Sequence, residues 1–313
     1  MKFSHLTVLI LLIGIIIIGS CNTNTPTNTA GSYKGGINGV AISFIPAAPT
    51  PTFNKGDAVP VKVLLKNNGE FDVASGEAQV MIYGIHYPSF GLSDQFKATS
   101  GELLGLNNLR TEGGEQQVDM GSINYNEDIV GSEKFTLNAE VCYPYMTDAI
   151  LNACITTNKI EAGGSQKSCT IQTGKSTEKI AKGDVSSAPI QVTSITEELK
   201  GTNRVMFHIT IENKGKGSVF KSSATCSDLG KVEQTDIANI VGITAPEDIQ
   251  CILLDKTSNT GDIRLTAGKK IVDCYKDVTE TSSYTQKINF KLNYKYLDTT
   301  SLIIEIYQTM TAT

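Results

Sequence analysis

The most regular feature of the chain is the alternation of apolar and polar side chains. In the segments 59–65, 135–141, 205–211 and 288–294, every second residue is apolar. A period of two is typical of a β-strand with one buried face and one solvated face. No long stretch has the 3.6-residue period of an amphipathic helix, and residues 93–109 are the candidate for a short helix. The pattern predicts an all-β fold.

The second feature is an internal repeat of three landmarks. Each half has a short apolar strand, then a long alternating strand that ends in Asn-x-Gly, and later a strand that runs into Tyr-x-Tyr. The landmarks are Val40–Phe44 and Ile190–Ser194, Asn67–Gly69 and Asn213–Gly215, and Tyr143–Tyr145 and Tyr294–Tyr296. Their order and nearly constant spacing predict a tandem duplication. We expect two β-sandwich domains, 37–183 and 184–313, the first with a long-loop insertion at 87–130.

Two segments carry a resemblance to a known family. In Gly56–Gly69 and Arg204–Gly215, an alternating strand leads into Asn-x-Gly, where Asn bonds local backbone and Gly takes positive φ. They resemble the immunoglobulin-like modules called CARDB, a cell-adhesion-related domain, and the whole chain is similar to uncharacterised archaeal cell-surface proteins. The resemblance implies two tandem immunoglobulin-like β-sandwich domains with an adhesion or display role.

The N-terminal residues predict export. The apolar run Leu6–Gly19 is shorter than the ~20 residues of a spanning helix and fits a signal peptide, residues 1–20. The sequence Ile18–Cys21 resembles the lipobox of exported lipoproteins, which implies cleavage before Cys21 and a lipid on its sulfur. The polar residues 21–36 are then a flexible tether. A plain signal peptide cleaved elsewhere and an uncleaved signal anchor are the alternatives.

The remaining six cysteines, three in each half, are candidates for disulfides. No Cys-x-x-Cys pair favours a zinc site, and an even number in an exported protein favours disulfides, with buried free thiols as the alternative. In two pairs the cysteines lie on either side of glycine-containing turns, and the third pair is what remains, a bridge between the domains. The expected pairs are Cys154–Cys169, Cys251–Cys274 and Cys142–Cys226.

No motif in the chain points to catalysis, a metal or a cofactor. The patterns of zinc proteases, serine hydrolases, P-loops and EF-hands are absent. His86 is expected in a loop and His208 on the polar face of its strand. The acidic turns Asn126–Asp128 and Gly261–Asp262 are typical of solvated loops and only weak calcium candidates. We predict no catalytic site, no metal site and no cofactor.

Composition narrows the class of partner. A net charge of −5 gives no support for nucleic-acid binding, which needs a basic face. The absence of tryptophan weakens the case for a sugar-binding site. The repeated tyrosines share the phase of the buried face, so we expect them to fill the sandwich edge with hydroxyls that reach solvent. A ligand platform is the alternative for these side chains.

Together these features predict a lipid-anchored extracytoplasmic surface protein that acts as a non-catalytic binding, adhesion or display module. Its expected partners are the membrane, through the lipid on Cys21, and another protein or cell-envelope component. The loop region 85–130 and exposed edge strands are the expected contact regions. A structural subunit of an envelope layer or filament is one alternative. A secreted hydrolase with an unrecognised carboxylate pair is another, because such pairs have no local signature.

Overall fold

The computed structural model describes residues 33–93, 95–157, 169, 171, 178–180, 182–229, 235–279 and 282–308. The first half contains β1 (Val40–Phe44), β2 (Thr52–Asn54), β3 (Val59–Asn67), β4 (Gln79–Tyr83), helix α1 (Tyr87–Phe90), β5 (Lys97–Ala98), β6 (Glu115–Ile123) and β7 (Ser132–Ile155). The second half contains β8 (Glu178–Lys179), a 3-10 helix (Lys182–Asp184), β9 (Ile190–Lys200), β10 (Arg204–Asn213), β11 (Ser218–Phe220), a 3-10 helix (Cys226–Asp228), β12 (Ile240–Thr244), β13 (Gln250–Ile252), β14 (Thr257–Ser258), β15 (Thr260–Arg264), β16 (Lys269–Asp277) and β17 (Tyr284–Tyr307).

The described strands form three sheets. The orders are β1-β3-β6, β14-β13-β16-β10-β9-β8 and β15-β12-β17-β7-β4-β5, in sheets of three, six and eight strands. The eight-stranded sheet also contains β11 and β2, which both pair with β17. Neighbours along these orders are antiparallel, whereas β2 joins the end of β17 in parallel. The predicted all-β class is therefore confirmed.

The two longest strands come from different halves and lie side by side. β7 and β17 have 24 residues each and occupy the centre of the eight-stranded sheet. They pair antiparallel, without a register shift, from Ser132 opposite Tyr307 to Ile155 opposite Tyr284. This sheet is therefore common to both halves, and Gly31–Thr313 forms one compact unit.

The alternating segments bury the face that their pattern predicts. In β3, Val61, Val63 and Leu65 are fully buried, while the residues between them are not. The same holds for β10, except that Thr210 is buried as well, and for the part of β17 that leads to its tyrosines. In β7, Phe135 at the start of the segment is half-buried. Most of the buried apolar side chains form one core through both halves, and a smaller cluster surrounds Cys142 and Cys226. Each half is a two-layer arrangement that shares the eight-stranded layer.

The structure differs from expectation between residues 85 and 130. Residues 115–123 of the expected long-loop region form β6, which pairs with β3 and completes the three-stranded sheet. No helix lies among the described residues of 93–109, which contain β5 instead. The helix is α1, which has a proline in its first turn and ends at Gly91 with φ 67°.

The expected domain boundary, between residues 183 and 184, falls within the 3-10 helix Lys182–Asp184. Across it, the halves repeat the same strand–turn–strand elements. The long strands β7 and β17, however, belong to one sheet. The division into two independent domains stays a prediction.

Candidate interaction surface

The six cysteines in the described part of the chain form three disulfides. The pairs are Cys142–Cys226, Cys154–Cys169 and Cys251–Cys274, the ones that the sequence favoured. The first joins β7 to the 3-10 helix that follows β11, and so links the two halves. Disulfides persist in oxidising compartments. They indicate that this chain functions in an oxidising, extracytoplasmic environment.

The predicted signal peptide and Cys21 lie outside the described residues. Across the residues that are described, no helix has both the length and the apolar character needed to cross a bilayer. The lipid on Cys21 stays a prediction.

The four repeated tyrosines form a cluster at the middle of the β7–β17 pair. Tyr145 lies opposite Tyr294, and Tyr143 lies opposite Tyr296. Neighbouring ring centroids are 5.5 to 6.4 Å apart, and each side chain is at most 2% exposed. The rings therefore offer no stacking platform to a ligand, and their burial differs from the expectation of hydroxyls that reach solvent.

Two of these hydroxyls bind the Asn-x-Gly turns of the two halves in the same way. Tyr145 donates to Oδ1 of Asn67 over 2.9 Å, and Tyr296 donates to Oδ1 of Asn213 over 3.1 Å. Each Oδ1 also accepts the N–H of the glycine two residues later. A Cβ on the first glycine, Gly69, would collide with the Tyr145 hydroxyl. The Asn-x-Gly and Tyr-x-Tyr landmarks are thus parts of one motif, present twice.

The other two hydroxyls hold the first strand of each half. Tyr143 accepts the N–H of Val40 over 3.2 Å, and Tyr294 accepts the N–H of Ile190 over 3.4 Å. Burial is the main cause that raises the pKa of all four phenols, that of Tyr296 to about 12. These tyrosines stay protonated at neutral pH and act as structural hydrogen-bonding groups.

A carboxylate fixes the start of the described chain to the junction of the halves. Glu70 accepts the N–H of Lys34 (2.9 Å), of Gly35 (3.0 Å) and of Ser187 (2.6 Å). Tyr33 donates its N–H to the Gly183 carbonyl over 3.0 Å. Residues 33–36, expected to belong to the flexible tether, are therefore bound to the body.

His86 lies next to a serine and a glutamate, but in the wrong order for a hydrolytic triad. Nδ1 of His86 is 2.7 Å from Oγ of Ser89, which donates to Oε1 of Glu127 over 3.0 Å. In a triad the histidine stands between serine and acid and accepts the serine proton. Here the serine stands in the middle and gives its proton to the acid. Ser89 is buried whereas His86 and Glu127 are exposed, and the network fastens α1 to the segment before β7.

The acidic turns singled out in the sequence are ion-paired. Asp128 lies 2.5 Å from Nζ of Lys55, whose hydrogen bond is the main cause that lowers the pKa of Asp128, and Asp262 lies 2.8 Å from Nζ of Lys221. Within the described ranges, no group of three His, Cys, Asp or Glu residues could hold a metal ion. Two clefts at the junction of the halves have volumes of about 270 and 200 Å³, below the ~300–1,000 Å³ of typical small-ligand sites.

The outward face of β9, β10 and β16 carries an ordered grid of side chains, which we call the β10 face. Three cross-strand ranks follow from the register of these strands. The ranks are Thr196–His208–Asp273, Glu198–Met206–Tyr275 and Lys200–Arg204–Asp277. His208 is thus on the polar face of its strand, as predicted.

Side chains of the β10 face bind one another across the strands. Arg204 makes two hydrogen bonds to Asp277, of 2.6 and 3.0 Å, and its guanidinium lies 4.0 Å from the centre of the Tyr275 ring. His208 places Nδ1 2.6 Å from Asp273 and Nε2 3.5 Å from Glu198. These contacts hold the long side chains in defined positions.

Hydrogen bonds from neighbouring cations lower the pKa of two carboxylates of this face. The hydrogen bond from Arg204 is the main cause that lowers the pKa of Asp277, and the hydrogen bond from Lys200 is the main cause that lowers the pKa of Glu198. At neutral pH, the face therefore presents fixed charges of both signs around Tyr275 and Met206. Sequence reasoning missed this network because its members lie on three strands.

Apolar side chains border the β10 face, and the first half has no counterpart. Ile271, Ile252 and Leu254 are 53%, 51% and 51% exposed, and Ile271 follows the grid on β16. In the first half, the position equivalent to His208 is Lys62, and its outward neighbours contain no arginine or aromatic residue. The duplicated halves therefore share a core motif but differ in this face.

No protein-family model matches the chain, and no curated protein matches it either. The resemblances to CARDB modules and to the lipobox stay predictions.

Proposed function

We propose that this chain is a lipid-anchored extracytoplasmic surface protein that binds another protein or a cell-envelope component through the β10 face. The observation that carries the proposal is the position of Arg204, stacked on Tyr275 and bonded twice to Asp277. Arginine, tyrosine and methionine are the residues enriched in protein interfaces. A pre-formed arrangement also lowers the entropy lost on binding.

Stability alone gives a weak reason for this arrangement. The side chains of Arg204 and Asp277 are 42% and 62% exposed. An exposed ion pair contributes only ~0–1 kcal/mol to folding, because water screens it. Binding of a partner explains the ordered arrangement of these side chains better than stabilisation of the fold does.

The dimensions of the face favour a modest contact. Three strands ~4.8 Å apart and three ranks ~6.8 Å apart cover on the order of 300 Å². A standard interface covers ~800 Å² on each partner. The partner would therefore also contact the exposed Ile252, Leu254 and Ile271, or bind transiently.

The proposed attachment to the membrane is supported by other observations than the β10 face. The lipobox-like Ile18–Cys21 is a prediction from the sequence, and the disulfides agree with the exported side of a membrane. The CARDB resemblance supports adhesion or display through immunoglobulin-like domains. Replacing Cys21 with serine should release the protein from membranes. Continued attachment of that variant, with the signal shown to be removed by mass spectrometry, would contradict the lipid anchor.

The hydrolase alternative has little support around Glu140, the carboxyl group whose pKa is raised by burial. The pKa of Glu140 is raised by desolvation, as for a general acid. Its cross-strand neighbours in the shared sheet are Met81 and Thr299. Neither neighbour supplies the second carboxylate that glycoside hydrolysis requires.

Site-specific photo-crosslinking tests the binding surface. A benzoylphenylalanine at Ile271, beside the β10 face, should form an adduct with an envelope component in intact cells. The matched control is Gln117, which holds the equivalent position on β6 and is also exposed. Charge reversal by Arg204→Glu should abolish the Ile271 adduct, whereas Lys62→Glu should not.

Three results discriminate the possibilities. Adducts from Ile271 alone support the proposal, and an adduct with a second copy of this chain would favour the layer or filament alternative. No adduct from Ile271, or equal adducts from Gln117, would show that the β10 face is not the contact surface.

A further inference from the structure

Two exposed apolar side chains lie beside the start of the described chain. Leu109 is 97% exposed, and Ile37 is 52% exposed. Scattered apolar residues on a surface are common and need no explanation by themselves. The position of this pair, next to the junction with the predicted tether, distinguishes it from the other exposed apolar residues.

The loop that carries Leu109 is locked in place. Oδ1 of Asn107 accepts the N–H groups of Leu109 (2.9 Å) and Arg110 (2.7 Å), and the N–H of Asn107 donates to the Arg110 carbonyl. The Arg110 guanidinium donates to the Gly105 carbonyl over 2.5 Å and is ion-paired with Asp72 over 3.2 Å. The tight turn therefore holds Leu109 at its tip, with the side chain in solvent.

Direct contacts join this loop to the first described residues. Nζ of Lys34 donates to the Arg110 carbonyl over 3.3 Å. Tyr33 and Asn108 line the same cleft. Ile37 lines the neighbouring cleft, together with the exposed Lys216. The two apolar tips and the two lysines thus lie near the point where the described chain begins, and the carboxylates Glu70, Asp148 and Asp298 line the clefts between them.

The tether is short enough to keep this surface near the lipid. Twelve residues lead from Cys21 to Tyr33. A chain of that length spans at most ~40 Å. Within such a distance, even weak contacts with the bilayer act at a high effective concentration.

We propose that this tether-proximal surface, formed by Lys34, Ile37, Leu109 and Lys216, docks on the lipid surface, with Leu109 inserted among the lipids. The proposal rests on the lipid anchor at Cys21. Apolar tips beside lysines match the interface of a bilayer, where apolar side chains enter the acyl boundary and lysines reach the headgroups. Docking orients the body so that the surface around Tyr33 faces the membrane.

The absence of tryptophan makes a direct test simple. The full chain with Leu109→Trp, produced in an exporting host, is reconstituted into vesicles of phosphatidylcholine with a minority of phosphatidylglycerol. Insertion should shift the emission to shorter wavelengths, and acyl-brominated lipid should quench it at least about two-fold. The matched control is Val130→Trp. Val130 is 100% exposed and lies beyond the Ser132 end of β7, ~36 Å along the strand from the tyrosine cluster.

The outcomes separate the inference from the anchor. Protein that does not float with the vesicles overturns both the lipid on Cys21 and the docking. Protein that floats, but whose L109W emission is quenched no more than that of V130W, overturns the docking alone. A shift that needs added envelope proteins identifies a protein occupant and also overturns it. Selective quenching of L109W establishes the docking.

Discussion

The hydroxyl of Tyr145 lies 2.9 Å from Oδ1 of Asn67, in surroundings from which water is excluded. The same asparagine uses its Nδ2 to bind two carbonyls, those of Phe71 and Leu103. Asn67 therefore joins β3 to β7 and to the loop before β6. In the second half, Asn213 makes the equivalent bond to Tyr296, but it is only half-buried.

Replacing Tyr145 with phenylalanine should lower the free energy of unfolding by about 1–3 kcal/mol, because buried Asn67 loses a donor to Oδ1. The equivalent Tyr296→Phe should cost less, since water can reach the half-buried Asn213. Urea denaturation of both variants measures the difference. Equal losses, or a greater loss for Tyr296→Phe, would contradict the importance of burial at this bond.

Alkaline pH should destabilise the protein through the tyrosine cluster. The pKa of Tyr296 is raised to about 12, against about 10 for tyrosine in an unfolded chain. Between these values the unfolded state releases a proton that the folded state keeps, so stability is fully present below about pH 10 and is lost as pH rises toward 12. Each such tyrosine contributes a fall of about 1.4 kcal/mol per pH unit in that window.

Urea denaturation between about pH 8 and pH 11 measures this slope. The variant Tyr296→Phe removes one titrating group. The unfolding free energy of this variant should therefore fall less steeply with pH, by about 1.4 kcal/mol per pH unit. An unfolding free energy that stays constant above pH 10 would rule out the linkage.

Glu70→Gln should loosen the start of the chain. The carboxylate uses both oxygens, Oε1 for the N–H of Lys34 and Oε2 for those of Gly35 and Ser187, whereas an amide has one acceptor oxygen and a nitrogen that donates. At least one of these hydrogen bonds is therefore lost, together with the charge that strengthens the others. Hydrogen exchange at these amides should accelerate, with a loss of about 1–3 kcal/mol in local stability. The exposed Glu112→Gln is the control, and similar acceleration in both variants would argue against the role of Glu70.

Each half, produced separately as residues 31–183 or 184–313, should fail to form a stable monomer. The first fragment lacks β17, the partner of β7 along its full 24 residues, and exposes core side chains such as Leu151. The second fragment lacks β7 and exposes core side chains such as Ile288. Mixed under oxidising conditions, the fragments should associate and become linked through Cys142–Cys226, as seen on a non-reducing gel. Cooperative unfolding of either fragment alone would show that the halves are independent domains.

Local sequence patterns predicted the strands well but not their neighbours. The alternation in β3 and β10 states which side chains are buried, because it depends only on adjacent residues. The pairing of Tyr145 with Tyr294 depends on strands far apart in the chain, and the period of two contains no information on which strands meet. The sequence therefore showed that the tyrosines are repeated in the two halves, but it did not show that they pack together in one cluster.

Two further elements, β6 and α1, were not predicted from the sequence, for local reasons. β6 escaped notice because only Val118, Met120 and Ile123 are apolar and buried in nine residues, and a bulge interrupts its pairing with β3. Helix α1 had a usable signal in Pro88 and Gly91, which lie at its first turn and its end. The contacts of His208 had no local sequence signal, because Asp273 and Glu198 lie on other strands.

The long β7–β17 pair also sets the order of events during biogenesis. About 130 residues separate Ile155 from Tyr284, so β7 emerges from the ribosome well before its neighbour exists. Non-local pairing of this kind folds slowly, and an unpaired edge is prone to aggregation. Until β17 is present, β7 keeps an open edge, and a chain interrupted before Tyr284 is therefore expected to aggregate readily.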